Sequence, residues 1–542
     1  MSVDRTAPEP LDRSQTIDKN LLDYMREAVA RYANRPAYSQ RGQTLSFQEI
    51  DRLSERFAAF LQNHPQLKSG DRIAVQLPNV LSYPLVAFGI LKAGMVLVNV
   101  NPLYTDYETL KQLRDADIKG WICIETSAHL ISTVRQELDI PLVMISGVFD
   151  LHDFPKRHLY SYILRRHLHL VKPYDAKDTI PLRQALRVGR SQTWHRPALG
   201  PHDLAMIQYT GGSTGVLKGA MLTHGNIVAN MEQVSCFLGS EVQLGSEVVI
   251  APLPIYHIFS FTVHCVTPLI TGSHNVLIVD PTQIHALIRE MKRWSFTSIS
   301  GVNTLFYSLL RADSFKQLNF STLRFAIAGG MKLDPKLAES WESLTGRPIL
   351  EGFGMTELSP VATFNPPQAN RLGTVGKALP GTELRLVDAK GQTIDRCDTP
   401  GELWVRGPQV MQGYWRQPEE TARHLTPDGW MRTGDLATFD ADGYWRIVGR
   451  IKRMILVSGF NVYPQEIEDV LARHPGILAC RALGVPHSVS GEVVKVLVIA
   501  KDKTLKAQDI RDYCRRFLTT YKIPKHIEFT DSLPPLPATH EG

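Results

Sequence analysis

Residues 206–226 read MIQYTGGSTGVLKGAMLTHGN and place a loop rich in glycine, serine and threonine between two apolar runs. Such small side chains leave backbone N–H groups and hydroxyls free to surround phosphate oxygens, and Lys218 adds a cation at the far end. The loop does not fit the Walker A pattern, because Lys218 follows Gly215 by only three residues. By itself the segment predicts a phosphate-binding loop, with a flexible surface turn as the alternative.

The composition is that of a globular protein with more than one core. The chain has 542 residues, of which 43% are hydrophobic and 21% charged, and this length predicts two or three domains. The formal net charge of +6 is not concentrated in a Lys/Arg block, so a nucleic-acid partner is not indicated. The six cysteines lie far apart without a CxxC pair, which argues against a disulfide framework or a zinc site.

The apolar segments do not predict a membrane span. The first residues lack the apolar run of a secretory signal. The best candidate for a span, residues 80–100, is interrupted by Pro84, Lys92 and Gly94. A buried helix, a turn and a core strand explain that segment better. We therefore expect a cytoplasmic protein.

One basic and aromatic segment, residues 156–174, is roughly amphipathic, which is typical of a helix on a membrane surface. It leaves open a peripheral position at the inner face of the membrane. A buried or solvated surface helix is the favoured alternative, because histidine and arginine are spread around the helix.

Helical and strand patterns alternate through most of the chain. Apolar residues recur near a 3.6-residue period after Ser46, a candidate N-cap, and a strand pattern follows at residues 71–78. Such alternation predicts an α/β fold with parallel-type sheets covered by helices. Short strands separated by Gly and Asp turns predict a small β-rich unit at about 373–450. A compact α+β domain is predicted after residue 450, with a hinge near 449–453.

Three further motifs follow the loop in order: EGFGMTE at 351–357, MRTGDLA at 431–437 and GRIKRMILVSGFNVYPQEIE at 449–468. With the loop, they resemble the ordered motif set of the adenylate-forming (acyl-CoA synthetase) superfamily over nearly the whole chain. The segments GVNTLFYSLL, GPQVMQGYW and VSGFNVYPQEIEDV are most similar to bacterial long-chain fatty-acid–CoA ligases. The resemblance implies a large N-terminal ATP- and acyl-binding domain at 1–450, with two doubly wound parallel-type sheets and the β-rich unit. It also implies a small mobile C-terminal domain at 451–542.

The resemblance implies a reaction in two halves. The carboxylate of a fatty acid attacks the α-phosphate of ATP, which gives acyl-AMP and pyrophosphate, and the thiol of coenzyme A then displaces AMP. Because the first half brings two anions together, the site has to neutralise and position phosphates. The implied partners are a fatty acid, ATP and coenzyme A, with Mg²⁺ as the metal, and a homodimer is compatible with the family.

The family roles can be carried over to individual residues of this sequence. Glu357 would hold Mg²⁺, a hard cation that prefers carboxylate and phosphate oxygens. The residues implied at the phosphates are Thr210, Gly211, Gly212, Ser213, Thr214, Gly215, Lys218 and Thr356. The residues implied at the adenine, the acyl carboxylate and the ribose are Gly329, Gly330, Phe353, Gly354, Met355, Asp435 and Arg450. Phe353 stands where the family more often has tyrosine, so it keeps the stacking surface and lacks the hydroxyl.

Five more positions concern the acyl pocket and the second half of the reaction. His257 interrupts an apolar run and borders the acyl pocket in the family, although a structural histidine is the alternative. Lys452 falls at the hinge about which the C-terminal domain rotates, and Arg453 follows it where many relatives carry an acid. Gly459 and Phe460 would line the channel for the pantetheine arm of coenzyme A.

The last family motif is Pro-x-Thr/Ser-x-x-Gly-Lys, whose lysine reaches the α-phosphate and the carboxylate. This sequence closes with SLPPLPATHEG, which aligns Gly542 with the motif glycine and stops before the lysine. The expectation is that adenylation is impaired in this chain. Two alternatives to a ligase therefore stay open: an ATP- and acyl-binding protein or carrier, and an acyl-AMP ligase that acts on a carrier protein. The intact phosphate and Mg²⁺ motifs favour the ligase.

Overall fold

The computed structural model describes residues 19–211, 217–451, 454–502 and 504–533. The predictions for Gly212, Ser213, Thr214, Gly215 and Lys452 lie outside these residues. The same holds for Arg453 and for the closing segment that was aligned with the family's last motif. The assignments made for these positions stay predictions.

Strands and helices alternate through most of the described chain. In chain order the strands are β1 Pro36–Gln40, β2 Gln43–Ser46, β3 Arg72–Gln76, β4 Val96–Asn99, β5 Gly120–Ile124, β6 Leu142–Ser146, β7 Ile180–Pro181, β8 Leu204–Gly211, β9 Leu217–Thr223, β10 Val248–Ala251, β11 His274–Leu277, β12 Ser298–Gly301, β13 Phe325–Ala328, β14 Ile349–Gly354, β15 Val361–Phe364, β16 Lys377–Ala378, β17 Glu383–Val387, β18 Thr393–Ile394, β19 Gly401–Arg406, β20 Gly413–Tyr414, β21 Met431–Phe439, β22 Trp445–Arg450, β23 Ile455–Val457, β24 Phe460–Val462, β25 Ile477–His487, β26 Gly491–Ala500 and β27 His526–Phe529. The α-helices are α1 Leu21–Tyr32, α2 Phe47–Gln62, α3 Ser82–Lys92, α4 Asp106–Asp115, α5 Ile131–Glu137, α6 Lys156–Tyr162, α7 Leu182–Gly189, α8 His224–Leu238, α9 Ile258–Phe261, α10 Thr267–Thr271, α11 Ile284–Met291, α12 Asn303–Arg311, α13 Asp313–Lys316, α14 Pro335–Thr345, α15 Pro418–His424, α16 Pro464–Leu471 and α17 Ala507–Arg515.

Two large sheets form the N-terminal part of the described chain. One has the strand order β16-β15-β14-β13-β12-β10-β11-β1-β2, and the other has the order β20-β9-β8-β4-β3-β5-β6-β7. Pairing is parallel from β1 through β11, β10, β12 and β13 to β14, and from β8 through β4, β3, β5 and β6 to β7. Antiparallel strands lie at the edges. The predicted α/β class with two parallel-type sheets is confirmed.

The local patterns also match the described structure. Ser46 caps α2, and the side chain of Glu49 completes a capping box at the same helix start. Residues 80–100 contain the wholly buried helix α3, a turn and the buried strand β4, as their interrupted apolar pattern predicts. Among the described residues, no helix is both long and apolar enough to cross a membrane.

The remaining sheets follow in the last third of the chain. Strands β17, β18, β19, β21 and β22 form an antiparallel sheet within the predicted β-rich unit. Strands β23 to β27 form the last sheet, and α16 and α17 pack on it through one apolar cluster. The predicted boundary at residue 450 falls between β22 and β23.

A carboxyl group lies within the core beside the glycine-rich turn that follows β13. Glu351 in β14 is only 4% exposed, and its Oε1 accepts a hydrogen bond of 2.9 Å from the backbone N–H of Leu333. Burial raises the pKa of Glu351 to about 7, although this hydrogen bond and Lys332 act in the opposite direction. The folded protein therefore holds a proton at Glu351 at pH values where the unfolded chain has released it.

We expect this proton to make the stability depend on pH. Because the pKa of Glu351 is raised from 4.5 to about 7, stability is lost as the pH rises from about 4.5 through about 7. Glu351→Gln keeps an oxygen acceptor for Leu333 and removes the titration. Relative to the wild type, the variant should gain up to about 3 kcal/mol in free energy of unfolding between pH 5 and pH 8. Urea unfolding followed by tryptophan fluorescence measures this difference. The exposed Glu339→Gln is the control, and a difference for Glu351→Gln that stays flat with pH contradicts the expectation.

Candidate active site

The stems of the predicted phosphate loop form an antiparallel pair. Strands β8 and β9 place Thr210 opposite Lys218 and Gly211 opposite Leu217. The two ends of the loop therefore lie side by side at one end of the eight-stranded sheet. The short 3₁₀ turn Thr356–Leu358, which carries the end of the EGFGMTE motif, packs against both strands.

Lys218 is buried and engages helix α15. Its ammonium forms an ion pair with Glu420, lies 3.3 Å from Nε2 of His424 and stands 5.3 Å from the ring centroid of Tyr414. The predicted contact of Lys218 with phosphate stays a prediction, since in this structure the ammonium turns toward the carboxylate of Glu420. Glu420 and His424 were not predicted, although their four-residue spacing places them on one face of a helix.

Glu357 is buried in a turn that packs against the strands flanking the predicted phosphate loop. Its Oε1 accepts a hydrogen bond of 2.7 Å from the hydroxyl of Tyr414. Burial and the neighbouring carboxylate of Glu357 raise the pKa of Tyr414 well above its usual range, so Tyr414 stays a hydrogen-bond donor. Tyr414 was not predicted as a site residue, although it belongs to the GPQVMQGYW segment.

The residues around Glu357 suit a hard cation. Glu357 follows Thr356 in a turn that packs against β8, the strand that carries Thr210. Carboxylates and hydroxyls supply the oxygen ligands that Mg²⁺ prefers. Among the described residues, no group of three His, Cys, Asp or Glu side chains could hold a metal ion. A single carboxylate still fits Mg²⁺, because this ion commonly takes one or two carboxylates and fills its remaining positions with phosphate oxygens and water.

The two residues predicted at the ribose pair with each other. Asp435 on β21 lies opposite Arg450 on β22. Nε of Arg450 and Oδ1 of Asp435 are 2.8 Å apart and form an ion pair. The angles of this contact do not meet those of a hydrogen bond. Burial raises the pKa of Asp435 to about 6, Arg450 lowers it, and the nearby charge of Glu357 raises it. This coupling places Asp435 within electrostatic range of Glu357.

The glycine pair and the predicted adenine residues follow adjacent parallel strands. Gly329 and Gly330 come directly after β13, and Phe353 and Gly354 end β14. Because carboxyl ends of parallel strands meet at one edge of a sheet, these residues border the same crevice. A Cβ atom on Gly329 would lie 3.3 Å from the ring of Phe259, so a side chain there would crowd this edge. The N–H of Met355 bonds to the Pro360 carbonyl at 2.9 Å and fixes the turn toward Thr356.

His257 caps a short helix. Its Nδ1 accepts a hydrogen bond of 3.3 Å from the backbone N–H of Phe259, at the start of α9. Burial lowers the pKa of His257 to about 4, so the ring is neutral at neutral pH. The carbonyl of the preceding Tyr256 accepts a hydrogen bond of 3.1 Å from Gln208 in β8. The segment therefore lies beside the phosphate-loop strand, and the contact of His257 with an acyl group stays a prediction.

The VSGFNVYP segment reaches the same crevice from the C-terminal sheet. Gly459, at φ +86°, turns between β23 and β24, and its carbonyl oxygen lies 3.7 Å from where a Cβ atom on Gly330 would stand. The hydroxyl of Tyr463 lies 3.1 Å from Oγ1 of Thr210. The ring of Phe460 stacks on Tyr521 with centroids 4.4 Å apart. Tyr463 was not predicted, although it belongs to this motif.

Comparison with known proteins shows the family to which the chain belongs. The AMP-binding enzyme family matches residues 25–415, and the AMP-binding enzyme C-terminal domain matches residues 466–542. The long-chain-fatty-acid–CoA ligase of Escherichia coli O157:H7 is 44% identical over 517 residues, which cover 95% of this chain and 92% of that protein. The ligase of the same name from Yersinia pestis is 43% identical over 530 residues, which cover 97% and 94%.

Two solved structures share the fold across both parts of the chain. ATP-bound MatB from Rhodopseudomonas palustris superposes with a TM-score of 0.67 at 28% identity, over 95% of this chain and 96% of that one. The o-succinylbenzoate CoA synthetase of Bacillus subtilis, a double mutant bound with a product analogue, gives a TM-score of 0.76 at 24% identity, over 95% and 96%. With family matches over most of its length and relatives that align along nearly their whole length, the chain belongs to the AMP-binding enzyme family.

Proposed function

We propose that the protein is an ATP-dependent ligase that activates a long-chain fatty acid as acyl-AMP and transfers the acyl group to coenzyme A. The printed name of the relatives from Escherichia coli and Yersinia pestis supports this substrate. The observation that carries the proposal is the buried Glu357, held by Tyr414 beside the phosphate loop and within electrostatic range of Asp435. A protein that only carried acyl chains would have no use for this carboxylate.

In the first half of the reaction the chain positions two anions. The hydroxyls of Thr210 and Thr356 would bind phosphate oxygens, and Glu357 would hold Mg²⁺, which when bound neutralises phosphate charge. The ion pair of Asp435 with Arg450 offers an acceptor and a donor for the ribose hydroxyls. The glycine pair leaves room for the nucleotide and the carboxylate at the edge of the sheet. Holding both reactants in place lowers the barrier without a covalent intermediate on the enzyme.

The second half would use the turn at Gly459. Its contact with Gly330 brings the C-terminal sheet to the crevice where acyl-AMP would lie. The stack of Phe460 on Tyr521 gives this turn a rigid wall beside the approach of the pantetheine arm. The thiol of coenzyme A would attack the acyl carbonyl, and AMP would leave.

Substitution of Glu357 tests the proposal. Glu357→Gln keeps an oxygen acceptor for Tyr414 and removes the charge, so we expect pyrophosphate release from ATP and fatty acid to fall ~10²–10³-fold. Binding of the fatty acid alone should be unchanged, because the lost charge serves the phosphates. The matched control is Glu419→Gln, at an exposed position of α15. Stopped-flow pyrophosphate detection and calorimetry with fatty acid provide the two measurements.

The outcome of this experiment separates the alternatives. If Glu357→Gln releases pyrophosphate as fast as the wild type, Glu357 has no role at the phosphates. If the wild type releases pyrophosphate and leaves coenzyme A unacylated, it is an acyl-AMP ligase that acts on a carrier protein. If it binds ATP and fatty acid, releases no pyrophosphate and forms no acyl-CoA from supplied acyl-AMP, it is a binding protein.

We also propose that the protein contacts anionic membranes through residues 154–172. This segment contains helix α6 and the π-helical turn Ile163–His167, and along its length it exposes five large apolar side chains. These side chains are Phe154, Leu159, Tyr162, Leu168 and Leu170, and Phe154 is 78% exposed. Lys156, Arg166 and Lys172 are exposed among them. Exposed apolar groups with cations between them suit the interface of an anionic bilayer.

Vesicle binding tests this surface. The double variant Leu159→Asp/Leu168→Asp places two negative charges on it, so we expect sedimentation with phosphatidylglycerol-containing vesicles to fall about tenfold. The control is Leu478→Asp, at a position that is 69% exposed in the C-terminal sheet. Equal sedimentation of both variants and the wild type contradicts membrane contact through this segment.

A further inference from the structure

A buried ion-pair network joins the C-terminal segment to helix α4. Nζ of Lys522 lies 2.6 Å from Oε1 of Glu108, at the start of α4, and 2.8 Å from Oε1 of Glu466, in α16. Lys522 is 4% exposed and Glu108 is 5% exposed. Lys522 and its partner Glu108 lie 414 residues apart in the chain.

Glu108 accepts hydrogen bonds from the C-terminal segment and from the start of its own helix. Its Oε2 accepts hydrogen bonds from the hydroxyl of Thr519 at 2.6 Å and from the backbone N–H of Thr105 at 3.0 Å. The second bond belongs to the capping box of α4. The hydroxyl of Thr105 also lies 3.1 Å from the carbonyl oxygen of Phe517. Docking of the C-terminal segment on α4 therefore adds Thr519 and Lys522 to the partners that Glu108 has in its own helix.

Aromatic rings enclose the charges. The ammonium of Lys522 stands 5.0 Å from the ring centroid of Tyr104, and Phe517 meets Tyr107 edge-to-face with centroids 6.0 Å apart. Burial lowers the pKa of Lys522, but Glu466, Tyr104, Tyr521 and Glu108 together raise it well above its usual range. The lysine is thus charged at neutral pH, and it depends on both carboxylates for compensation.

The network connects directly to the turn that enters the crevice. Tyr521 precedes Lys522 in the chain, and its ring stacks on Phe460, the neighbour of Gly459. The docking that pairs Lys522 with Glu108 is also the docking that sets Gly459 beside Gly330. If the C-terminal sheet rotated away about the hinge, both contacts would separate together.

We propose that Lys522, Glu108 and Glu466 form a latch that holds the C-terminal domain in the orientation for thioester formation. The three are positioning residues, and the inference rests on the proposed two-step ligase function. Buried charges at this contact favour the docked orientation only while each has its partner. Removal of one partner therefore shifts the population away from this orientation without changing the groups that bind ATP.

The test separates the two halves of the reaction. In Lys522→Met, we expect acyl-CoA formation from supplied acyl-AMP and coenzyme A to slow about tenfold or more in single turnover. Pyrophosphate release from ATP and fatty acid should stay within about twofold of the wild type. Glu108→Gln should repeat the effect, because glutamine still completes the capping box and lacks the charge. Lys522→Arg should recover most of the rate.

A nearby lysine supplies the control. Lys525 lies three residues further along, is exposed and has its Nζ 3.1 Å from Nε2 of His487 in the same sheet. Lys525→Met should leave both half-reactions unchanged. Thioester formation at the wild-type rate in Lys522→Met, or an equal loss in both halves, overturns the latch.

Hydrogen exchange gives a readout that does not depend on the reaction. Amides of residues 104–110 and 517–522 should exchange faster in Lys522→Met than in Lys525→Met, since the docked contact opens more often. Unchanged exchange in both segments overturns the latch. A wild-type protein that forms no acyl-CoA refutes the proposed function instead, and the exchange comparison then still decides whether the contact is a latch.

Discussion

The buried carboxylate of Glu357 is the constraint on which the site depends. A charge taken out of water is tolerated only with donors and cations around it, and here Tyr414 donates a hydrogen bond of 2.7 Å. The 3₁₀ turn that carries Glu357 packs against both strands that flank the predicted phosphate loop. Burial and the charge of Glu357 also raise the pKa of Asp435, which ties the β-rich sheet to the same centre. Three parts of the fold thus meet around one negative charge, a place suited to a cation and phosphates.

The position of the C-terminal sheet determines which residues face the crevice, and therefore which half of the proposed reaction the site suits. The turn at Gly459 lies against Gly330, and Tyr463 reaches Thr210 in the phosphate loop. These contacts place the VSGFNVYP segment at the edge of the crevice. The buried pair of Lys522 and Glu108 gives this placement its own source of stability, away from the reacting groups. The residues that dock the C-terminal sheet therefore differ from the residues around the predicted phosphate site.

Much of this arrangement could be predicted from the sequence. Some elements follow from local patterns, and others follow only from motifs of the family. The capped helix α2 and the buried segment 80–100 follow from local periodicity and capping. Glu357, Asp435 and Arg450 were predicted only through their motifs, because no local pattern tells which strands become neighbours. The pairs of Lys218 with Glu420 and of Lys522 with Glu108 join residues 202 and 414 positions apart. Such pairs arise from the packing of whole sheets, so neither spacing nor composition indicated them.

Single-turnover transfer from acyl-AMP tests the central claim most directly. Purified wild-type protein is mixed with preformed long-chain acyl-AMP and coenzyme A in the absence of ATP, and acyl-CoA and AMP are measured over time. The docked turn at Gly459 predicts prompt formation of acyl-CoA and AMP in equal amounts. Acyl-AMP that stays unconsumed, or that is hydrolysed to free acid with no thioester, would contradict the account.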